Sequence, residues 1–342
     1  MLSKGHKLAI YMEGAVLGVA GKMGFGVLRY SPNETVCVID SVCAGQNIKD
    51  LTPIPKSCPI VATIEEALAL GADVFVLGIA PPGGLIPEPW FTIIDHAVSS
   101  GMSVVNGLHD LLSPRYPILD DGQFIWDIRI EPHGLKPGTG AAASLTNKRC
   151  LIIGTDMAVG KMTAGLEIYR VARERGVNAG FVATGQIGIT ITGAGVPLDA
   201  VRVDFAAGAI EREVMNRRYE ELTIIEGQGS LGHPGSTANL PLLRGSMATH
   251  LILCHRAGQT QLTTLPFPTA PVGDLIRLYE DLGSCCGIFP RPSTVGIAMN
   301  TGHIVSDEEA LRVCQEMEQE VGLPCVDTVR HGPDRLVDAL LR

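Results

Sequence analysis

The chain is short of charge. Asp, Glu, Lys and Arg make up 18% of its 342 residues and leave a net charge of −9. No stretch gathers Lys and Arg, so the basic face of a nucleic-acid binder is missing and that class is set aside. Long apolar runs are missing too. "MLSKGHKLAIYMEG" is broken by charge and glycine within a few residues, and no run reaches the roughly 18 apolar residues of a membrane span. The nine cysteines, Cys37, Cys43, Cys58, Cys150, Cys254, Cys285, Cys286, Cys314 and Cys325, form no CxxC pair, and their number is odd. A disulfide framework is not expected. Most sit inside apolar runs, where a thiol behaves as a small hydrophobe. The histidines show no HExxH or similar spacing, so no metal site is expected. His250 and His255 flank the run "LILC" and read as structural. A soluble, cytoplasmic protein with a small-molecule substrate and no membrane or nucleic-acid partner fits these absences.

What is present is apolar bulk and turn-formers. Hydrophobic residues reach 46%, with 40 Gly and 22 Pro. That mix suits a globular α/β protein, and the length suits two domains. In residues 1–130, "KLAIYMEG" and "TVCVID" read as strands. "TIEEALALGADVFVLGIAPPGG" reads as helix, turn and strand, with Thr63 as N-cap, Glu66 as its capping-box partner and Gly71 as helix end. "EPWFTIIDHAVSSG" and "MSVVNGL" repeat the cycle. Residues 131–149 are poor in large apolar side chains and read as a linker. From 150 to 342 strands and helices alternate again, ending with "SDEEALRVCQEMEQEVG", a helix capped by Ser306 with Glu309 as partner. The expected fold class is α/β: two domains, each a mainly parallel sheet with helices on both faces, Rossmann-like and then P-loop NTPase-like.

The stretch "LIIGTDMAVGKMTAG", residues 151–165, carries the chemistry. An apolar strand ends at Gly154. Thr155, Asp156, Met157, Ala158 and Val159 lead to Gly160 and Lys161, and a helix opens with Met162 and Thr163. Such a loop points backbone N–H groups at one spot, and the helix dipole adds positive potential there. Glycine lets the backbone approach an anion, and Lys161 adds a point charge. The usual phosphate loop puts Ser or Thr directly after the lysine, where its hydroxyl holds magnesium. Here Met162 stands in that place. A helix turns by about 100° per residue, so Thr163 cannot take over without moving the chain. The loop is expected to hold a nucleotide phosphate that is bound rather than cleaved. Glu226 ends a second strand, "LTIIEGQGS", at the sheet edge where open α/β folds bind ligands.

Gly154, Thr155, Asp156, Val159, Gly160 and Lys161 resemble the G-T-D-x-x-V-G-K-T loop of the dethiobiotin synthetase branch of P-loop proteins. "IIEGQGS" is similar to that branch's strand ending in Glu-Gly-x-Gly, and "GIAMNTG" to its later strand, which implies that Asn300 lies near the base. The branch's lysine in the strand after the first helix is missing from "FVATGQIG". "GVAGKMGFGVLRY", residues 18–30, together with "EEALALGADVFVLGIAPPGG", resembles the CoA-binding Rossmann domains of acyl-CoA synthetases. Over nearly its whole length the chain is similar to one family, long known only as a domain of unknown function. "GIAPPGG", "VNGLHDLLS", "GTDMAVGKMT", "TGQIGI", "VRVDFAAGAIE", "IEGQGSLGHPG" and "GIAMNTG" carry the resemblance. Some members of that family are assigned as D-glutamate N-acetyltransferases that use acetyl-CoA.

Three functions are weighed. The first is an acetyl-CoA-dependent N-acetyltransferase acting on an acidic amino acid such as D-glutamate. It needs a base for the substrate ammonium, and Glu226, Asp204 and His233 are the candidates. Arg202 is either a carboxylate clamp or half of a surface ion pair with Asp204. Thr184 and Gln186 are candidate substrate contacts, and the amides of "GQGS" and "TGQIG" candidate oxyanion donors. The second is an ATP-dependent ligase in which Asp156 and Glu226 hold magnesium. The third is a non-catalytic nucleotide-binding protein. The uncharged segment "TTLPFPTAPVG" is expected to pack against a partner subunit in a homo-oligomer.

Overall fold

The computed structural model describes residues 2–18 and 20–342. Met1 and Val19, which fall in two of the stretches quoted above, lie outside the described residues. The chain forms two compact units. One comprises the chain up to Ile130 together with 186–197, and the other comprises 131–185 and 198–342.

The first unit runs β1 (Lys7–Tyr11), α1 (Lys22–Tyr30), β2 (Glu34–Ile39), α2 (Ile48–Leu51), β3 (Ile60–Val61), α3 (Ile64–Ala69), β4 (Val74–Leu77), α4 (Trp90–Ser99), β5 (Ser103–Asn106) and β6 (Ile125–Asp127). Its six strands pair in the order β3-β2-β1-β4-β5-β6, all parallel. All four residues of β4 are buried, as expected for a strand covered on both faces. Phe75 and Leu77 on β4 pack with Ile64 of α3 and Ile94 of α4 in one core. Each such side chain removed from water contributes about 1.5–3 kcal/mol. Thr63 caps α3 by accepting from the Glu66 N–H, and the Glu66 carboxylate reaches back to the Ala62 N–H at 2.8 Å.

The second unit runs β7 (Lys148–Gly154), α5 (Lys161–Glu174), β8 (Ala179–Val182), then α6 (Gln186–Thr192), α7 (Val203–Asn216), β9 (Leu222–Ile225), α8 (Asn239–Ser246), β10 (His250–Arg256), α9 (Val272–Ser284), β11 (Ser293–Asn300), α10 (Asp307–Val321), β12 (Cys325–Val326) and α11 (Asp334–Leu341). The strand order is β12-β11-β10-β7-β9-β8, again all parallel. Ser306 caps α10 through the Glu309 N–H. Helix α6 is the exception in this run, because residues 186–197 belong to the first unit, where α6 packs on α1.

The stretch read as a linker is bound to the second unit rather than free. The Glu211 carboxylate on α7 accepts from Thr139 N, Thr139 Oγ1 and Ala141 N at 2.8–3.2 Å. A side chain on Gly208 would strike the Lys136 carbonyl, so this close approach requires glycine. Small residues that read as flexibility are here the means of packing backbone on a helix. Seven cysteines are buried, Cys285 is half-buried and Cys286 is exposed. Among the described residues no helix is long and apolar enough to cross a membrane.

Candidate functional site

Strand β7 delivers the loop 154–160 to the N-terminus of α5. Ala158 and Gly160 adopt positive φ values of 57° and 108°, which turn the chain back over the strand end. Gly160 is the N-cap, and no side chain caps the helix. The first-turn N–H groups of this 14-residue helix therefore lack an internal acceptor, which leaves them to an anion. Thr155 is anchored by its N–H to the Cys254 carbonyl and by its hydroxyl to His255 Nδ1, both at 3.0 Å. Met157 is half-buried and Ala158 exposed, Val159 is buried, and Met162 and Thr163 are half-buried on the first turn of α5. The Asn300 amide donates to the Val159 carbonyl at 3.3 Å, so the end of β11 borders the loop.

Lys161 is 7% exposed. Its ammonium donates to the Asp156 carbonyl at 2.8 Å, and its stem runs past Gly154 and Gly227. A Cβ on Gly227 would meet the Ile152 carbonyl at 1.6 Å and the Lys161 stem at 3.2 Å. Burial lowers the Lys161 ammonium from 10.5 to about 8, against the pull of Cys254, Asp156 and Glu226. Glu226 follows the last residue of β9 and is 4% exposed. Its Oε2 accepts from Thr184 N at 2.8 Å and Gly185 N at 3.2 Å. Burial raises its carboxyl from 4.5 to about 7, and those two amides and Lys161 restrain the rise. Lys161 and Glu226 are thus two buried groups that perturb one another.

Asp156 is fully buried and differently engaged. Its Oδ2 accepts from Gln259 Nε2 and Thr263 N at 2.6 Å, and its Oδ1 from Met157 N at 2.6 Å. Burial works to raise its carboxyl, but these bonds outweigh it and hold Asp156 below the usual range. Asp156 thereby ties the loop after β10 to the phosphate loop. Among the described residues no group of three or more His, Cys, Asp or Glu gathers to hold a metal ion.

The remaining candidates separate. Thr184 lies against Glu226, with its hydroxyl on the Glu226 carbonyl at 2.9 Å. Its N–H and that of Gly185, expected as oxyanion donors, are spent on the Glu226 carboxylate. Gln186 opens α6 and so belongs to the first unit. Arg202 is 73% exposed and is held by Glu131 through its Nε and Nη2, so its partner is neither a free substrate carboxylate nor Asp204. Asp204 is exposed in the first turn of α7, where its charge complements the helix dipole. His233 is 6% exposed on the loop after β9. That loop is pinned to the phosphate loop by Ser230 Oγ donating to the Thr155 carbonyl at 3.0 Å. Tyr279 of α9, which sequence reading passed over, bonds Leu231 N at 3.1 Å and Asn239 Oδ1 at 2.8 Å and lies 3.4 Å from the Gly154 carbonyl.

Two family models match this arrangement: a Rossmann-like domain of unknown function over residues 41–131, and a P-loop domain of unknown function over residues 136–337. The chain is 37% identical over 332 residues to a D-glutamate N-acetyltransferase of Tritonibacter scottomollicae, covering 94% of each chain. It is 37% identical over 282 residues to a second protein of that name from a Pseudoalteromonas species, covering 80% of this chain and 83% of the other. Among solved structures, a DUF1611 family protein from Anabaena variabilis superposes with a TM-score of 0.95 at 47% identity, covering 98% of this chain and 99% of that one. With both halves matched and the phosphate loop in place, the chain belongs to the DUF1611 family.

Proposed function

We propose that the protein is an N-acetyltransferase that uses acetyl-CoA and takes an acidic amino acid, D-glutamate first among them. The observation that carries this reading is the buried Glu226 carboxyl, pushed up to about 7 and held beside Lys161 in a phosphate loop that lacks the magnesium hydroxyl. A general base works best when its pKa lies near the working pH. Oε2 is held by two amides, so Oε1 is the oxygen available to take a proton from the substrate ammonium. The uncapped start of α5 and the Lys161 ammonium suit the phosphates of CoA, and Asn300 borders that cradle. Acetyl-CoA supplies the activated acetyl group. The name of the relatives in Tritonibacter and Pseudoalteromonas supports D-glutamate as the acceptor of an acetyl group.

A magnesium-dependent ligase fits less well. Met162 offers no oxygen, and Asp156 is committed to three N–H donors of its own loops. Thiol release from acetyl-CoA, followed across D- and L-amino acids, tests the reading. D-glutamate is expected to give the fastest release, and no release with any acidic amino acid overturns it. Thermal-shift titration separates the alternatives: CoA is expected to stabilise without magnesium, whereas stabilisation by ATP only with magnesium favours the ligase.

A further inference from the structure

Acyl transfer needs a hydrogen-bond donor for the carbonyl oxygen that gains charge, and several candidate donors of this site are already engaged. Thr184 N and Gly185 N serve Glu226. Ser230 N donates to Ser236 Oγ at 3.1 Å, Leu231 N to the Tyr279 hydroxyl, and Gly232 N to Ser230 Oγ at 3.2 Å. His233 N donates to the Ser230 carbonyl at 3.2 Å and Ser236 N to the His233 carbonyl at 3.0 Å. The loop after β9 is therefore tightly self-bonded, and Asn239 closes it on Ser236 Oγ at 2.9 Å.

One group stands apart. His233 Nε2 is buried with no hydrogen-bond partner. The other ring nitrogen, Nδ1, accepts from Gly235 N at 3.1 Å. An acceptor at Nδ1 carries no proton, so the neutral ring has its proton on Nε2. The ring is thus a donor and not a base, because a base would need the Nε2 lone pair. A sealed donor without an acceptor is costly to keep in a folded protein, and such groups occur where a ligand completes the bond.

From this we infer that His233 Nε2–H donates to an oxygen of the bound substrate, either the thioester carbonyl or the amino acid's side-chain carboxylate. The inference rests on the acyltransferase reading for its substrates but not for the tautomer. It removes His233 from the candidate bases and leaves the buried Glu226 and the exposed Asp204.

Imidazole nitrogen NMR on the full-length protein tests the tautomer directly. Protonation at Nε2 is expected without substrates, and a shift of that nitrogen on adding CoA with N-acetyl-D-glutamate. A proton on Nδ1, or no shift with saturating products, overturns the inference. Kinetics of His233→Phe and His233→Gln distinguish the acceptor. Loss of a donor to the reacting carbonyl lowers kcat by about 10²–10³-fold with KM unchanged. Loss of a donor to the carboxylate raises KM for the amino acid by about tenfold with kcat unchanged. His233→Gln, whose amide reaches toward the Nε2 position, is expected to recover part of either loss. A folded Phe variant with wild-type kcat and KM overturns the inference. Should wild-type protein release no thiol at all, the acyltransferase reading falls while the NMR result for the free protein still decides the tautomer.

Discussion

Each unit has a glycine-rich turn after a central strand, and the two turns are built for different ends. In the first unit, "GKMGFG" follows β1, yet its glycines serve packing. Gly24 N donates to the Gly78 carbonyl at 2.8 Å. A Cβ on Gly24 would meet the buried Met12 sulfur at 2.4 Å, and one on Gly78 would meet the Gly24 Cα at 3.1 Å. The helix start is pressed onto β4, and Met12 fills the space beneath it. Asp40, just past β2, is buried and spent on the N–H groups of Val16 and Val42. Lys22 of this turn is exposed. No side chain caps the helix start in either unit, but in the second the lysine of the turn is buried beside a carboxylate. The difference lies in what fills the space under the turn: a thioether in one, a lysine stem in the other.

The comparison can be broken most sharply at Glu226. Glu226→Gln keeps an acceptor for Thr184 N and Gly185 N but removes the base, and kcat is expected to fall by about 10²–10⁴-fold. Wild-type kcat/KM should rise with pH through about 7, the value to which burial lifts this carboxyl. A flat profile across that range would remove Glu226 from the mechanism. The same shift has a stability consequence. Between the ordinary value of 4.5 and about 7 the folded protein holds a proton that the unfolded chain has released. The stabilisation from the neutral carboxyl is therefore complete below the lower value and is lost as pH rises through the upper one. Denaturant melts of Glu226→Gln should lack that loss.

Next comes the lysine itself. Lys161→Ala should weaken CoA binding by about 10–100-fold, the worth of a charge-assisted bond to phosphate, while Lys22→Ala should change it less than about twofold. Equal losses in a calorimetric titration would erase the distinction between the turns. Met12→Ala should destabilise the protein by about 2–5 kcal/mol, as for other buried methionines, without altering CoA affinity. Tighter CoA binding by that variant would mean that Met12 occludes a second site. The smallest effect is expected from Asp204→Asn, which removes one exposed dipole-facing charge worth about 0.3–1 kcal/mol. A large drop in its kcat would return Asp204 to the list of bases.

The phosphate loop was legible because its meaning is local. A strand ending at Gly154, a lysine at position 161 and an amphipathic helix define a shape whatever surrounds them. Glu226 was legible for the same reason, as an acid at the end of an apolar strand. The partners of these residues were not. Gln259 and Thr263 reach Asp156 from more than 100 positions away in sequence, and Tyr279 approaches Gly154 across 125. No spacing rule links such residues. Asp156 therefore read as one more residue of the phosphate cradle, and as a magnesium ligand only under the ligase alternative, while the fold uses its carboxylate to clamp the loop after β10. Residues 186–197 were read as part of the second half because strand-helix alternation says nothing about which unit a short helix joins.

By itself, the order of apolar strands, capped helices and turn glycines determined two parallel sheets and the position of one P-loop, since backbone geometry and side-chain periodicity act over a few residues. Tertiary structure alone decided which amides were already spent, which carboxyl was sealed from water and which imidazole nitrogen kept its proton. Those properties depend on desolvation and on hydrogen-bond partners, and both are assembled only when distant segments meet.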